Sequence, residues 1–413
     1  MRTVLALGWP FALYLAHLLT LHRLALSNIL LGLAVIATVW THRRHAQELY
    51  RDLRPAAPLL VPLGFYLLFQ AVATFFAVSW SASWPAFSEW FSLTTLLLGI
   101  LLLRGESAVR LTVDLVTAVA GLFAMVGLAQ YLAGSGGIDE RIIGPFPHWM
   151  TFAGVLLVAD LLLLGRLFFG PGWRGWGGAW RIAAAVSINA ALVVSLTRNA
   201  WVGLGVALVV LIALRKPRWL VPALPLALVG FVLVPVPVIH RATSIADLSD
   251  PSNYDRLCMA AVGLDMIAER PLWGMGPHQV RRRYPIYRHP TAPRSWVPHL
   301  HNSGLHLAAE RGVPALGAYV WMTAAAALLA FWRFRREGGA NGPRADLLAG
   351  SFLALIAFNV AGLFENNWGD TEVQRMALLV LAIPLALRCF CPEQAQEGRP
   401  RGAALTPMGA NLP

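Results

Sequence analysis

His299, His301 and His306 fall within eight residues of the run PHLHNSGLHLAAERG (298–312), which directly precedes a long apolar stretch. Imidazoles titrate near neutrality, so such a cluster suits either proton transfer or metal ligation. No carboxylate or thiol completes a recognised zinc spacing with these histidines, and no metal is expected. If a helix starts near Asn302, His301 sits just outside its first turn, carried by a rigid element. That is a suitable place for a general base that takes a proton from a hydroxyl. Arginines supply the other chemistry. Arg198 lies in SLTRNAW (195–201), Arg141 in DERIIGPFPH (139–148), and a further nine fall in residues 239–311. Guanidinium forks make bidentate contacts to phosphate.

The elements that must position these groups are membrane helices. The chain is 57% apolar and 13% charged, and apolar runs of bilayer-spanning length recur from end to end. Apolar length and polar breaks predict about twelve spans, near 4–21, 24–40, 59–78, 91–103, 111–132, 151–169, 182–197, 201–214, 219–238, 312–332, 345–361 and 373–388. No A-x-A cleavage site follows the first run, which reads as an uncleaved helix rather than a signal peptide. The expected class is an all-α, polytopic membrane protein with one large external loop containing short helices. Helices fill 1–238 and 312–388, the loop spans 239–311, and a tail follows from 389 to 413.

Orientation follows from the cations. Loops on the N-terminal side carry Arg43, Arg44, Arg51 and Arg54, then Arg104 and Arg110, then Arg166, Arg174 and Arg181. Arg215, Lys216 and Arg218 follow, and later Arg333, Arg335, Arg336 and Arg344. Ser79–Trp90 and Phe364–Glu372, on the other side, carry none. The positive-inside rule puts both termini in the cytoplasm. It also accounts for most of the net charge of +12 without nucleic acid. Trp80, Trp84, Trp90 and Trp149 sit where interfacial aromatics belong on the outer side. Cys258 is expected outside and Cys389 and Cys391 inside, so no disulfide framework follows.

The external arginines escape that rule, because long loops translocate regardless of charge. A cationic loop beside a bilayer fits an anionic lipid or a phosphate-bearing substrate. Within it, Asp255–Glu269 reads as an amphipathic helix with Leu257, Ala260, Ala261, Leu264, Ile267 and Ala268 as its apolar stripe. PLWGMGP (271–277) breaks it, and Arg281–Pro298 looks irregular. The predicted topology brings His299, His301 and Asn302, Arg141 and Arg198, the loop's Arg256, Arg270, Arg281, Arg282 and Arg288, and Glu365 to one outer face. Ionisable groups at membrane depth are expensive and tend to be functional.

These residues resemble the O-antigen ligase and polymerase superfamily. SLTRNAW is similar to its S-x-[ST]-R-x-[AG]-W helix end, RPLWGMGP (270–277) to its P-[LW]-x-G-x-G turn, and His301-Asn302 with Gly312 to its His-Asn signature before a membrane helix. The layout of the later spans is similar too. At the third position beyond Gly312 this chain has Ala315 in place of the ligases' usual Gly, Thr or Tyr. O-antigen polymerases and protein O-oligosaccharyltransferases of the superfamily are therefore alternatives. The resemblance implies a glycosyltransferase of the bacterial inner membrane with its site facing the periplasm. Its donor would be O-antigen on undecaprenyl pyrophosphate and its acceptor a sugar hydroxyl of lipid A-core. It implies His301 as base and Arg198 on the leaving pyrophosphate. The reaction would need no cofactor and would invert the anomeric centre. Arg141, Arg256, Arg270, Arg281, Arg282 and Arg288 are expected as further phosphate contacts, with His299, Asn302 and Glu365 orienting the base or a sugar. A transporter would instead gather charge near mid-span, where Asp160 is the clearest carboxylate.

Overall fold

A computed structural model describes residues 8–43, 47, 53–170, 175–222, 235–245, 247 and 250–387. Most of the expected span at 219–238 lies outside these residues. So do the tail with Cys389 and Cys391, and Arg44, Arg51 and Arg174 of the orientation pattern. Among the described residues all regular structure is helical. In chain order the helices are α1 (Trp9–Leu19), α2 (Leu24–His42), α3 (Ala57–Phe75), α4 (Trp90–Leu102), α5 (Glu106–Leu132), α6 (Trp149–Phe169) and α7 (Gly175–Val194). They continue with α8 (Arg198–Arg215), α9 (Val236–Thr243), α10 (Pro251–Glu269), α11 (Gln279–Tyr287), α12 (Ser303–Arg336), α13 (Ala345–Gly362) and α14 (Thr371–Ala386). Nine helical stretches among the described residues are long and apolar enough to cross a bilayer, while α1 and α14 are shorter.

Helices α6, α13 and α14 form the centre. Each is apolar around most of its circumference, which suits a helix surrounded by protein on all sides. Small residues set their spacing: a Cβ on Gly165 of α6 would come within 2.5 Å of Gly350 Cα on α13, and one on Gly203 of α8 within 2.7 Å of Ala357 O. Without a hydrophobic drive in lipid, such close backbone approach is what holds neighbouring helices together. At one end of the bundle, Asp346 pairs with Arg110 at 2.5 Å and with Arg166, while Asp114 pairs with Arg166 at 3.0 Å and Arg181 at 2.8 Å. Three of the cations read from sequence as topological signals thus also tie α5, α6, α7 and α13 together.

At the other end lies the 239–311 segment. Helix α12 is broken at Gly312, whose φ of 83° divides a short arm, 303–311, from the long helix. Residues 271–277 lock into that break. Met275 N–H donates to Ala309 O at 2.8 Å, Gly276 N–H to Glu310 O at 2.9 Å, and Val313 N–H to Pro271 O at 2.8 Å. Gly274 (φ 67°) and Gly312 are needed on both sides. A Cβ on the first would meet Glu310 C at 2.4 Å, and one on the second Leu272 O at 2.2 Å. The two glycine motifs are one backbone clasp. Above it Met259, Val262, Met266, Met275, Val280, Tyr284, Val297 and Leu300 form a separate small core under the segment.

Two expectations about this segment are corrected. Helix α10 starts at Pro251, capped by Asp250, and buries Cys258, Met259, Val262 and Met266. Leu257 and Leu264, assigned to the apolar stripe, are exposed. Packing at Gly263 decides the face, since it sits directly against Leu300 and Leu305. Of residues 281–298, expected to be irregular, 281–287 are helical and belong to α11 despite Pro285, because Val280 and Tyr284 anchor one side in the small core.

Candidate active site

Helices α6, α8, α10, α12 and α14 all begin at the face that carries this segment, so their positive dipole ends point into one region. Polar side chains from the connecting segments cap four of them, all but α8. His148 Nδ1 accepts from Met150 N–H, Asp250 from Ser252 and Asn253 N–H, Asn302 from Leu305 N–H, and Asp370 from Val373 N–H. A cavity of about 510 Å³ opens between these starts. His148, Arg294, His299, His301, Glu365 and Asp370 line it, on three separate stretches of chain.

His301 has a φ of 49°, in the left-handed region. Its Nδ1 lies 2.8 Å from Glu365 Oε2. An ionised carboxylate can only accept, so Nδ1 carries a proton, and in the neutral ring Nε2 is the nitrogen with the lone pair. Burial pushes the Glu365 carboxyl up. The hydrogen bond and charge of His301, the charge of His299 and the Asn366 N–H outweigh it and hold the group at about 2. The backbone also fixes this carboxylate's strand of loop: Ser303 Oγ donates to Glu365 O at 3.1 Å, and Trp368 N–H donates back to Ser303 Oγ at 3.3 Å.

His299 plays a different part. Its Nδ1 accepts the His301 amide at 3.3 Å, so the 3.5 Å approach of that nitrogen to Glu365 Oε1 is not a hydrogen bond. Burial, opposed by Glu365 and reinforced by His301, lowers its pKa to about 4, and it is neutral at pH 7. Donor atoms of His299, His301 and Glu365 lie within 4.8 Å of one another, the one group among the described residues that could hold a metal ion. The His301–Glu365 separation of 2.8 Å is a hydrogen-bond distance. Two ligands on one tetrahedral ion at ~2.1 Å stand about 3.4 Å apart. As arranged, His301 and Glu365 are a hydrogen-bonded pair whose geometry allows proton transfer at Nε2, with His299 holding the His301 amide.

Beside this cavity, arginines repel one another. Burial lowers the pKa of Arg141, and Arg198 and Arg256 lower it further. Burial lowers Arg256, with Glu365 opposing and Arg198 reinforcing. Arg241 falls to about 10 through burial and the charges of Arg198 and Arg141, and its Nε is buried without a partner. The nearest compensation comes from Asp250, 3.4 Å from Arg198 Nη2. A cluster so arranged favours an anion of high charge. Arg198 itself is tethered, donating to Ser244 O and Oγ at 3.0 and 2.9 Å and to Ser252 Oγ at 3.0 Å. It therefore holds the start of α10 against α8, while among the described residues Arg141 donates only to Ile138 O and lies over the Trp149 ring.

The remaining sequence-expected residues are not brought to this cluster. Arg270 donates to Phe76 O beside the clasp, Arg288 closes the C-terminus of α11, and Arg281 and Arg282 line a different cavity. Asn302 is a helix cap whose Nδ2 donates to Leu363 O at 2.9 Å. Sequence reasoning did not single out Arg241, His148, Arg294 or Asp370 as site residues. An Asp one residue before an apolar helix and a His before Trp149 are readable as cap signals. Arg241 and Arg294 carry no local signal.

Residues 182–320 match a protein-family model described as O-antigen ligase. The matched segment, about a third of the chain, includes Arg198, Arg241, Arg256, the clasp and His301, and supports the O-antigen ligase and polymerase superfamily. No curated protein matches the chain. With the apolar helices, the match supports a multi-pass membrane enzyme of O-antigen assembly.

Proposed function

We propose that the chain is an O-antigen ligase, moving O-antigen from undecaprenyl pyrophosphate to a sugar hydroxyl of lipid A-core at the periplasmic face of the inner membrane. The observation that carries this reading is the His301–Glu365 pair, opening on a cavity beside Arg141, Arg198, Arg241 and Arg256. His301 Nε2 takes the acceptor hydroxyl's proton as that oxygen bonds to the anomeric carbon. The bond from that carbon to the pyrophosphate oxygen breaks, and undecaprenyl pyrophosphate leaves with the electron pair. Attack opposite the leaving group inverts the anomeric centre. Glu365 stabilises the imidazolium as it forms, as a carboxylate does in other His-carboxylate pairs. The arginines balance the charge that develops on the leaving group, as metal ions do in other phosphate chemistry.

The testing experiment is transfer from undecaprenyl-pyrophosphate glycan to lipid A-core by purified protein in EDTA, with His301→Ala alongside. The native protein should transfer with chelator present, and the variant should lose on the order of 10²–10⁴ in rate while inserting and melting normally. Near-native transfer by the variant overturns the base assignment. Elongation of the lipid-linked glycan without any transfer to lipid A-core makes the protein a polymerase of the same superfamily.

A further inference from the structure

Arg281 and Arg282 line a second cavity, of about 600 Å³. Ala82 and Pro85 form one wall, the two arginines of α11 another, and Trp296 a third. This cavity has no lining residue in common with the His301 cavity, yet the two are neighbours. Arg294 and Pro298 line the His301 cavity, and Trp296, between them in sequence, lines the second. Two residues of extended chain reach at most about 7 Å. A single ridge of backbone, anchored by the buried Val297, divides them.

Charge and depth say what this groove takes. Both arginines are exposed, and among the described residues neither has an ion-pair partner. The Arg281 guanidinium lies over the Trp296 ring, 5.0 Å from its centroid, which holds the charge in place and leaves its N–H edge free. The wall segment carries Trp80 and Trp84, tilted against each other with ring centroids 5.0 Å apart and 47% and 50% exposed, and Ile286 beside Pro285 is 72% exposed. Exposed indoles and aliphatic side chains of this kind belong at the headgroup level of a bilayer. A paired-arginine groove at that level fits a phosphate held on a lipid headgroup.

We infer that this groove seats a phosphate group on the headgroup of the acceptor glycolipid, whose sugar chain crosses the Trp296–Pro298 ridge to present its hydroxyl to His301. This rests on the ligase reading for the role of the ligand, though not for its chemistry. Donor and acceptor phosphates then occupy separate arginine sets. The donor's lies with Arg141, Arg241 and Arg256, and the acceptor's with Arg281 and Arg282.

The test uses the full chain in nanodiscs of zwitterionic lipid, with Arg281→Gln/Arg282→Gln and Arg281→Lys/Arg282→Lys, each checked by its thermal midpoint. Acceptors are phosphorylated lipid A-core and the same glycolipid with its phosphates removed. The Gln pair should raise the acceptor KM about tenfold or more and the Lys pair less, with donor KM unchanged. With the dephosphorylated acceptor the native protein should show the same raised KM and the Gln pair no further rise. Equal penalties on both acceptors, or a raised donor KM, overturn the inference. Competitive inhibition by millimolar inorganic phosphate shows that the groove takes phosphate alone, while phosphate-dependent KM without such inhibition assigns it to lipid-held phosphate. If the native protein transfers nothing, direct binding of the two glycolipids decides. Phosphate-dependent binding lost in the Gln pair upholds the groove after the ligase reading has failed, and phosphate-independent binding removes it.

Discussion

Replacing Glu365 by glutamine tests the role proposed for the His301–Glu365 pair most directly. The amide keeps the carboxylate's size, and its carbonyl can still accept the His301 Nδ1 proton, so the ring's orientation survives. What disappears is the charge. Burial raises this carboxyl, yet His301, His299 and the Asn366 N–H bring it from 4.5 down to about 2, so it is ionised at neutral pH. The 2.8 Å contact becomes a bond between two charges when His301 is an imidazolium in the transition state. Hydrogen bonds to charged groups are worth about 1.5–3 kcal/mol against about 1 for neutral ones, so the loss is about 1–2 kcal/mol, on the order of tenfold in rate. The assay is single-turnover transfer of labelled lipid-linked glycan to lipid A-core at saturating acceptor, so that binding and product release drop out. A cycle with His301→Ala sharpens it. Once the base is gone the carboxylate has nothing to stabilise, and Glu365→Gln should cost almost nothing further. A Gln variant of native rate, or penalties that multiply in the double variant, would refute the pairing of these two residues.

Other perturbations follow from the same contacts. Gly312→Ala drives a Cβ to 2.2 Å from Leu272 O at a φ of 83° and should destabilise the protein by about 2 kcal/mol or more, seen as a lower thermal midpoint in detergent. An unchanged midpoint would mean the clasp yields freely. Arg241→Gln removes a cation that burial, Arg198 and Arg141 all disfavour. The donor-free protein should melt higher, and undecaprenyl pyrophosphate should raise the variant's midpoint less than the native one. His278 is raised above its ordinary 6.5, first by its hydrogen bond to Glu89, against burial. Its contribution is complete below 6.5 and is lost as pH rises through the raised value. The native midpoint should therefore fall as pH rises above 6.5, and His278→Gln should flatten that fall. A slope identical in both proteins would count against this contact.

The helical class was legible because lipid demands long apolar runs, and α6, α12 and α13 announce themselves by length alone. His301 was legible as a candidate because a His-Asn pair before an apolar helix reads as a group held at a cap. The clasp was half legible: Gly274 and Gly276 signalled a turn and Gly312 stood in the family's signature, but nothing said that they close on one another. Pairing across some forty residues leaves no local mark. The buried face of α10 was misread because Leu257 and Leu264 are more apolar than the residues that are buried. The close approach of Gly263 to Leu300 and Leu305, rather than the count of leucines on a face, decides which side is buried. Arginines posed the reverse difficulty. All those of the 239–311 segment look alike in sequence, and only the fold separates Arg241 and Arg256 from the clasp's Arg270 and the groove's Arg281 and Arg282.

The glycine motifs also bear on why His301 can stay where it is. A non-glycine residue in the left-handed region is disfavoured by about 1–2 kcal/mol, so His301 holds its φ of 49° only if its neighbours over-determine it. Glu365 fixes the ring, His299 takes the amide, and the Asn302 cap ties the next residue to Leu363 O. Glu365 and Leu363 belong to the turn after α13, whereas His301 rides on the arm before Gly312. Those contacts therefore hold only while the arm is docked on that turn. The arm's other end is fixed by the clasp, whose bonds run from 271–277 to Ala309, Glu310 and Val313. A change at Gly274 or Gly312 should thus weaken the His301–Glu365 pair without touching either residue. Gly274→Ala tests this. If the clasp only stabilises the fold, the variant transfers at native rate below its lowered midpoint. If it sets the arm, the rate falls there too, and adding Glu365→Gln lowers it less than in the native background.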